Sequence, residues 1–235
     1  LLSQFAINPF TTIHLPGPNY VHEIVIGFNI CSITYLTKGA IMPYSKEHKQ
    51  QSRQRILHSA AKLFTAKGFD NTSIDEVMAD ANMTRGAFYA HFSSKSELYA
   101  HALQQAAANN IIAQPKPCDM PEQLLIENIL RNYLSLAHIR NDMPCPLAFL
   151  VTDVVNQDSQ VRQAYTQAYK GMNLQLLKYT KTYSTCSRDT LLAVTAMMIG
   201  GVAVGRALDD KATRKKLLSS CQQVARSLLN GELAV

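Results

Sequence analysis

The chain has 235 residues, of which 47% are hydrophobic and 17% charged, with a formal net charge of +6. That balance supports a buried core and excludes a globally disordered, charge-dominated chain. The basic excess is scattered, so it permits an anionic partner without by itself marking one.

Residues 1–41 show no sustained hydrophobic period, and Pro16-Gly17-Pro18 interrupts them. No basic segment precedes a small-residue cleavage site there, so no signal peptide is expected. The first methionine is Met42, and codons for Lys38-Gly39-Ala40 can contain a purine-rich ribosome-binding sequence just upstream of it. Translation is therefore expected to begin at Met42, with residues 1–41 a translated leader and 1–44 lying ahead of the first domain; the alternative is a poorly ordered N-terminal tail.

From Ser45 the pattern becomes helical. Ile56, Ala60, Leu63 and Phe64 share one face, and Gly68 stands where a left-handed C-cap belongs. Ser73 with Glu76 forms a capping box, and Thr72 with Asp75 offers a rival one residue earlier. A short helix is expected from Ile74 to Ala81, followed by a turn at Asn82, a residue that tolerates the left-handed region. Thr84 then caps a third helix running to about Phe92. Ser94 and Glu97 form a further capping box, which opens a long helix through Leu98, Ala102 and Ala106.

Two short helices joined by a tight turn and braced by a longer one make a helix-turn-helix, whose second helix enters the major groove of DNA N-terminus first. Residues at that end are Thr84, Arg85, Gly86 and Ala87. Arg85 can pair bidentately with guanine, Ala87 can touch a thymine methyl, and Gly86 lets the backbone approach closely. Tyr89, His91 and Lys95 suit phosphate contacts that set register, and Thr72 and Ser73 join them at the start of the first short helix. Phe88, Phe92 and Leu98 read as core.

The stretch TSIDEVMADANMTRGAFYAHFSSKSEL resembles the DNA-binding signature of the tetracycline-repressor (TetR) family. Thr72, Ser73, Val77, Ala81, Thr84, Gly86, Phe88, Tyr89, His91, Phe92, Lys95 and Leu98 match its pattern, while Met78, Asn82 and Met83 stand where Ala, Gly and Val are usual. The resemblance implies a three-helix DNA-binding domain over 45–97 and a helical effector-binding and dimerisation domain over 98–235. It also implies a homodimer joined through the last two long helices, bound to a palindromic operator in double-stranded DNA and released by a small molecule.

The rest of the chain reads as all-α, with about nine helices in total. Pro115 and Pro117 break the chain, and Pro121 opens a helix through Leu136. A turn over 141–146 precedes helices at Leu147–Val155, Ser159–Tyr183, Ser187–Leu208 and Asp210–Leu229, the last stopped by Asn230-Gly231. The apolar run from Leu191 to Gly205 is shorter than the roughly 20 residues a bilayer span needs, so it reads as a buried helix and no membrane is expected. Gly200, Gly201 and Gly205 suggest close approach of a second helix, with the dimer interface preferred.

Candidate walls for a hydrophobic or aromatic effector are Tyr133, Phe149, Tyr165, Tyr169, Met172, Met197 and Met198, with His138 and Asp153 supplying polarity. Five cysteines make no CxxC pair and no Cys/His cluster at metal spacing, which fits reduced thiols in a cytoplasm and predicts no metal. Cys145, between Pro144 and Pro146 at a helix start, is the one candidate for a redox or electrophile sensor, since a helix dipole there would favour its thiolate. An enzyme using Cys145 with His138 is the contrasting class. No phosphate loop, nucleophile elbow or cofactor motif supports it, so neither catalysis nor a cofactor is expected. A DNA-binding protein with a filled core and no effector is the third reading.

Overall fold

The computed structural model describes residues 10–16, 21–27 and 46–231, apart from 111, 114–115, 141–144, 183 and 185. The chain divides into two compact units, residues 1–48 and 49–235. The first contains an antiparallel hairpin of β1 (Phe10–Pro16) and β2 (Val21–Gly27), in register from Phe10 opposite Gly27 to Pro16 opposite Val21. No element was expected there. Thr11, Thr12 and Ile13 on one side and Ile24, Val25 and Ile26 on the other are β-branched, and such residues favour the extended backbone. Met42 and the residues around it lie outside the described residues.

The second unit is all-α, and caps foreseen at Gly68, Ser73 and Ser94 delimit its early helices. α1 (Lys46–Lys67) ends at Gly68, whose φ of 80° turns the chain and whose N–H returns to the Phe64 carbonyl at 2.7 Å. Ser73 caps α2 (Ile74–Asp80) and Ser94 caps α4 (Lys95–Ala108), each accepting from the N–H three residues on. Glu97 returns to Ser93 rather than Ser94, accepting from both its N–H and its hydroxyl. α3 (Arg85–Tyr89) follows the Asn82 turn. Pro121 precedes α5 (Glu122–Tyr133). Asp158, Ser187 and Asp210 cap α9 (Ser159–Thr180), α10 (Arg188–Ala207) and α11 (Lys211–Leu229).

Eleven helices are present among the described residues, against about nine expected. Leu134 leaves helical geometry at ψ 54° and separates α6 (Leu136–Arg140) from α5. Leu150, at φ −109° and ψ 5°, splits the expected 147–155 helix into α7 (Pro146–Phe149) and α8 (Val151–Val154).

Apolar side chains gather into two clusters. The larger joins α5, α6, α7 and α9 to α10 and α11 around Tyr133, Leu134, Leu176, Val194 and Met198. The smaller joins α1 to α4 around Ile56, Phe64, Val77, Phe88 and Tyr99, and continues into Leu150, Val154, Val161 and Ala164 of the following helices. The expected boundary at 97/98 therefore does not separate two cores. α4 is common to both parts, and Tyr165 and Ala168 of α9 pack against both clusters.

By length and composition α10 is apolar enough to cross a membrane. In the fold its Leu191, Val194, Met198, Ile199 and Val202 are buried against neighbouring helices. Gly201 and Gly205 face the chain's own interior. A Cβ at Gly201 would lie 3.1 Å from Cys221 and Leu134, and one at Gly205 would lie 2.8 Å from Ile139. At these two glycines the close approach is internal, so the preference for a dimer interface is corrected there. A Cβ at Gly200 meets nothing within 4 Å.

Candidate nucleic-acid interface

The helix-turn-helix is built on a small set of buried side chains. Val77 and Met78 of α2, Phe88 of α3, Phe92 and Leu98 are each at most 2% exposed. Burying each large apolar side chain contributes on the order of 1.5–3 kcal/mol. Asn82 adopts φ 53° between α2 and α3, and Met83 N–H returns to the Met78 carbonyl at 2.9 Å. α3 stops at Tyr89, short of the expected Phe92. Ala90 is its C-cap, and the N–H groups of His91 and Phe92 both close on the Phe88 carbonyl.

This framework leaves Thr84, Arg85, Gly86 and Tyr89 exposed on α3, with Ala87 half-buried. The Thr84 hydroxyl makes no capping hydrogen bond. Arg85 donates to Asp75 at 2.7 Å, and both side chains remain about 60% exposed. The Tyr89 hydroxyl and then Asp75 raise the already high Arg85 pKa further. A Cβ added to Gly86 would meet only the Thr84 hydroxyl, at 3.9 Å. Packing within the protein therefore gives no reason for glycine there, and a bare patch of backbone faces outward. Tyr89 is 61% exposed, its ring set edge-on against Phe88.

One flanking residue, Thr72, differs from expectation. Thr72 is 1% exposed, and its hydroxyl donates to the Gly68 carbonyl at 2.8 Å, so it braces the α1–α2 turn instead of facing a DNA backbone. The rivalry between caps is settled by that bond, which leaves Ser73 to accept from Glu76 N–H at 3.1 Å. His91 is half-buried, with Nδ1 buried and without a hydrogen-bond partner. Burial, then Lys49 and Arg53, hold its pKa below the usual histidine value. Lys95 lies with its ammonium 4.2 Å from the centre of the Phe69 ring, a cation–π contact.

Two polar side chains, Asp153 and Arg206, fasten this region to the later helices. Asp153, at the end of α8, accepts from Phe69 N–H at 3.1 Å and from the Tyr99 hydroxyl. Tyr99 is fully buried, and its pKa is raised by burial and by that carboxylate. Arg206 of α10 donates to the Thr65 carbonyl at 3.2 Å, with its guanidinium 4.0 Å from the Phe149 ring centre. Asp153 was expected to lend polarity to a pocket. Its partners, 84 and 54 positions away in sequence, were not legible there.

The expected effector walls gather in the larger core but do not line a common cavity. A cavity of about 330 Å³ opens between α4 and α9, and Met172 is the only member of the expected set that lines it. Phe149 lies under Arg206, and Tyr165 donates to the Leu147 carbonyl at 2.7 Å. Tyr169 shares a hydrogen bond with Thr195 at 3.2 Å, while Met197 and Met198 pack in the larger core. Tyr133 is fully buried, and its ring lies 4.7 Å from that of His138. The His138 Nε2 is buried without a partner, and burial depresses the imidazole pKa. These aromatic and methionine side chains fill the core. Among the described residues, small and carboxamide side chains make up most of the cavity wall, with Ile112, Leu147 and Met172 between them.

Cys145 reverses the expectation attached to it. It is 2% exposed and its thiol pKa is pushed up by burial, even though Tyr133 donates to the sulfur at 3.2 Å and Asn110 at 3.3 Å. α7 has only four residues and offers little dipole to favour a thiolate. In the folded protein at neutral pH, iodoacetamide is expected to modify exposed Cys118 at least about tenfold faster than Cys145, as read by peptide mass spectrometry. Equal rates would restore Cys145 as a reactive thiol.

Comparison with known proteins agrees with this geometry. Residues 56–102 match the sequence model of bacterial regulatory proteins of the tetR family. The chain is 38% identical over 65 residues to the HTH-type transcriptional regulator AcrR of Shigella flexneri, covering 28% of this chain and 30% of that one. It is 25% identical over 138 residues to the probable acrEF/envCD operon repressor of Escherichia coli K12, covering 57% of this chain and 62% of the relative. The alignment to the first of these spans about a third of the relative's length. Among solved structures, reduced E. coli NemR superposes with a TM-score of 0.65 at 16% identity, over 76% of this chain and 96% of that one. A TetR transcriptional regulator from Chloroflexus aurantiacus gives 0.63 at 20% identity, over 75% and 95%. At these identities the structural likeness is one of fold.

Proposed function

With this chain placed in the tetR family of bacterial regulatory proteins through residues 56–102, we propose that it is a cytoplasmic repressor that binds a palindromic operator as a homodimer and is released by a small effector. The observation that carries the DNA-binding half is the exposed α3 face. Arg85 and Tyr89 flank a glycine that nothing in the protein fills. Such a surface suits an edge of guanine and a closely approaching backbone. In this reading Thr84 and Ala87 complete the base-reading set, and Ser73, Tyr89, His91 and Lys95 are assigned to phosphate contacts.

Dimerisation is supported by the outer faces of α10 and α11. Leu192, Val204 and Val224 are 40–51% exposed, and Gly200 of α10 is open to the outside. A second copy related by a twofold axis would cover these residues and set two recognition helices one or more DNA turns apart. Repression is the direction suggested by the relative described as an operon repressor.

The deciding experiment is DNase footprinting on DNA flanking the coding sequence, with the mass of the complex measured by light scattering. Protection of an inverted repeat by an even number of 26.1 kDa chains is expected. Protection of an asymmetric site by a single chain would overturn the dimer. No protected sequence in a genome-wide selection would overturn DNA binding.

A further inference from the structure

α2 is the first helix of a helix-turn-helix, a motif that binds a polyanion, yet it carries three carboxylates and no basic residue. Each carboxylate is paired. Asp80 and Glu76 accept from Lys62 and Lys67 of α1, so those two pairs brace α2 against its supporting helix. Asp75 instead accepts from Arg85 Nη1 at 2.7 Å, and Arg85 is the only basic residue of α3. Both side chains are about 60% exposed. A pair so exposed contributes little to folding, which therefore does not account for its placement.

The guanidinium is held from two sides. Asp75 takes one of its five N–H donors, and the Tyr89 hydroxyl, one turn along α3, faces the same group. Donors remain for the two parallel bonds that guanine O6 and N7 accept. A free arginine on this face would have a second option on any sequence. It could swing to a phosphate, a contact worth the same whatever the base. Pairing closes that option, because swinging away leaves the Asp75 carboxylate uncompensated beside a polyanion. The pair as a whole is neutral and adds little to non-specific attraction. Guanine is then rewarded, and a wrong base leaves the Arg85 donors unmatched.

We propose that Asp75 is a specificity-determining positioning residue, which directs Arg85 to one base pair and withholds it from the phosphates. This role presupposes that the α3 face reads DNA, as proposed above. Asp75 also stands in the first turn of α2, where a carboxylate favours the helix dipole. A dipole role is independent of Arg85, and a cycle of substitutions separates the two.

Wild type, Asp75→Asn, Arg85→Ala and the double variant are titrated by fluorescence anisotropy at fixed salt. Three duplexes are used: the operator, the operator changed at the base pair where Arg85→Ala loses most, and an unrelated sequence. Asp75→Asn is expected to tighten the changed operator and the unrelated duplex at least about threefold more than the operator, so discrimination falls by that factor. In the Arg85→Ala background the same substitution is expected to leave discrimination unchanged. Melting temperatures should stay within about 2 °C of the wild type.

Tightening of all three duplexes by one factor would make Asp75 a repelling charge with no hold on Arg85, and would overturn the proposal. An equal fall in discrimination with and without Arg85, or a rise in it, overturns the proposal too. An Arg85→Ala loss equal on every base variant does the same, since Arg85 would then read no base. A wild type that binds none of the duplexes removes the DNA-reading face itself. Binding with discrimination unchanged by Asp75→Asn removes only the role of Asp75.

Discussion

Asp153→Ala is expected to lower the unfolding free energy by about 2–4 kcal/mol and the melting temperature by about 10 °C. The Asp153 carboxylate accepts two hydrogen bonds, from Phe69 N–H at 3.1 Å and from the hydroxyl of fully buried Tyr99. Each bond to a charged acceptor is worth about 1.5–3 kcal/mol, reduced here because the carboxylate is only partly buried. Alanine leaves both donors without an acceptor and opens the space beside Gly68, where the Asp153 carboxylate now packs. Against a total stability of about 5–15 kcal/mol, that loss is large. Asp153→Asn keeps a carbonyl acceptor and is expected to recover about half of it. Urea and thermal unfolding measure both variants. A loss below about 0.5 kcal/mol for Asp153→Ala, the size of an ordinary surface substitution, would show that the two contacts do not fasten the α1–α2 turn.

The second large effect falls on DNA affinity and leaves stability almost untouched. Arg85→Ala is expected to cost about 1–3 kcal/mol of operator binding, concentrated at one base pair of each half-site. The ion pair it loses with Asp75 is exposed and contributes little to folding, so the melting temperature should hold. The same pair predicts an opposite effect for Asp75→Asn. Releasing Arg85 and removing a negative charge beside the DNA-facing helix should strengthen binding. Fluorescence anisotropy at fixed salt, on the operator and its single-base variants, reads both. An equal loss for Arg85→Ala on every base variant would assign Arg85 to phosphate, with no base reading.

These two residues mark different depths of legibility. Arg85 was identifiable because its place depends on neighbours close in sequence: the Thr84 cap before it, the Asn82 turn, and the spacing to Phe88. Asp153 was not, because its meaning lies in a backbone N–H and a phenol contributed by distant segments. The same division runs through Thr72 and Ser73. Both are capping residues by composition, and only the Gly68 carbonyl above Thr72 decided which of them turns inward. Cys145 carried an expectation drawn from a helix start, and burial reversed it.

The sequence alone therefore determined the local grammar: the end of α1, the starts of α2, α3 and α4, and the left-handed turn at Asn82. Caps, turns and periodicity act over a few residues, so neighbouring positions are enough to read them. Tertiary structure decided everything that depends on a meeting of segments. It turned Gly201 and Gly205 inward while leaving Gly200 open, and put Tyr133, Tyr165 and Tyr169 in hydrogen-bonded core positions. It also opened a cavity where the small residues of α4 and α9 happen to face each other. Which side chain fills space and which leaves it empty is a property of two surfaces together, and a one-dimensional pattern records only one of them at a time.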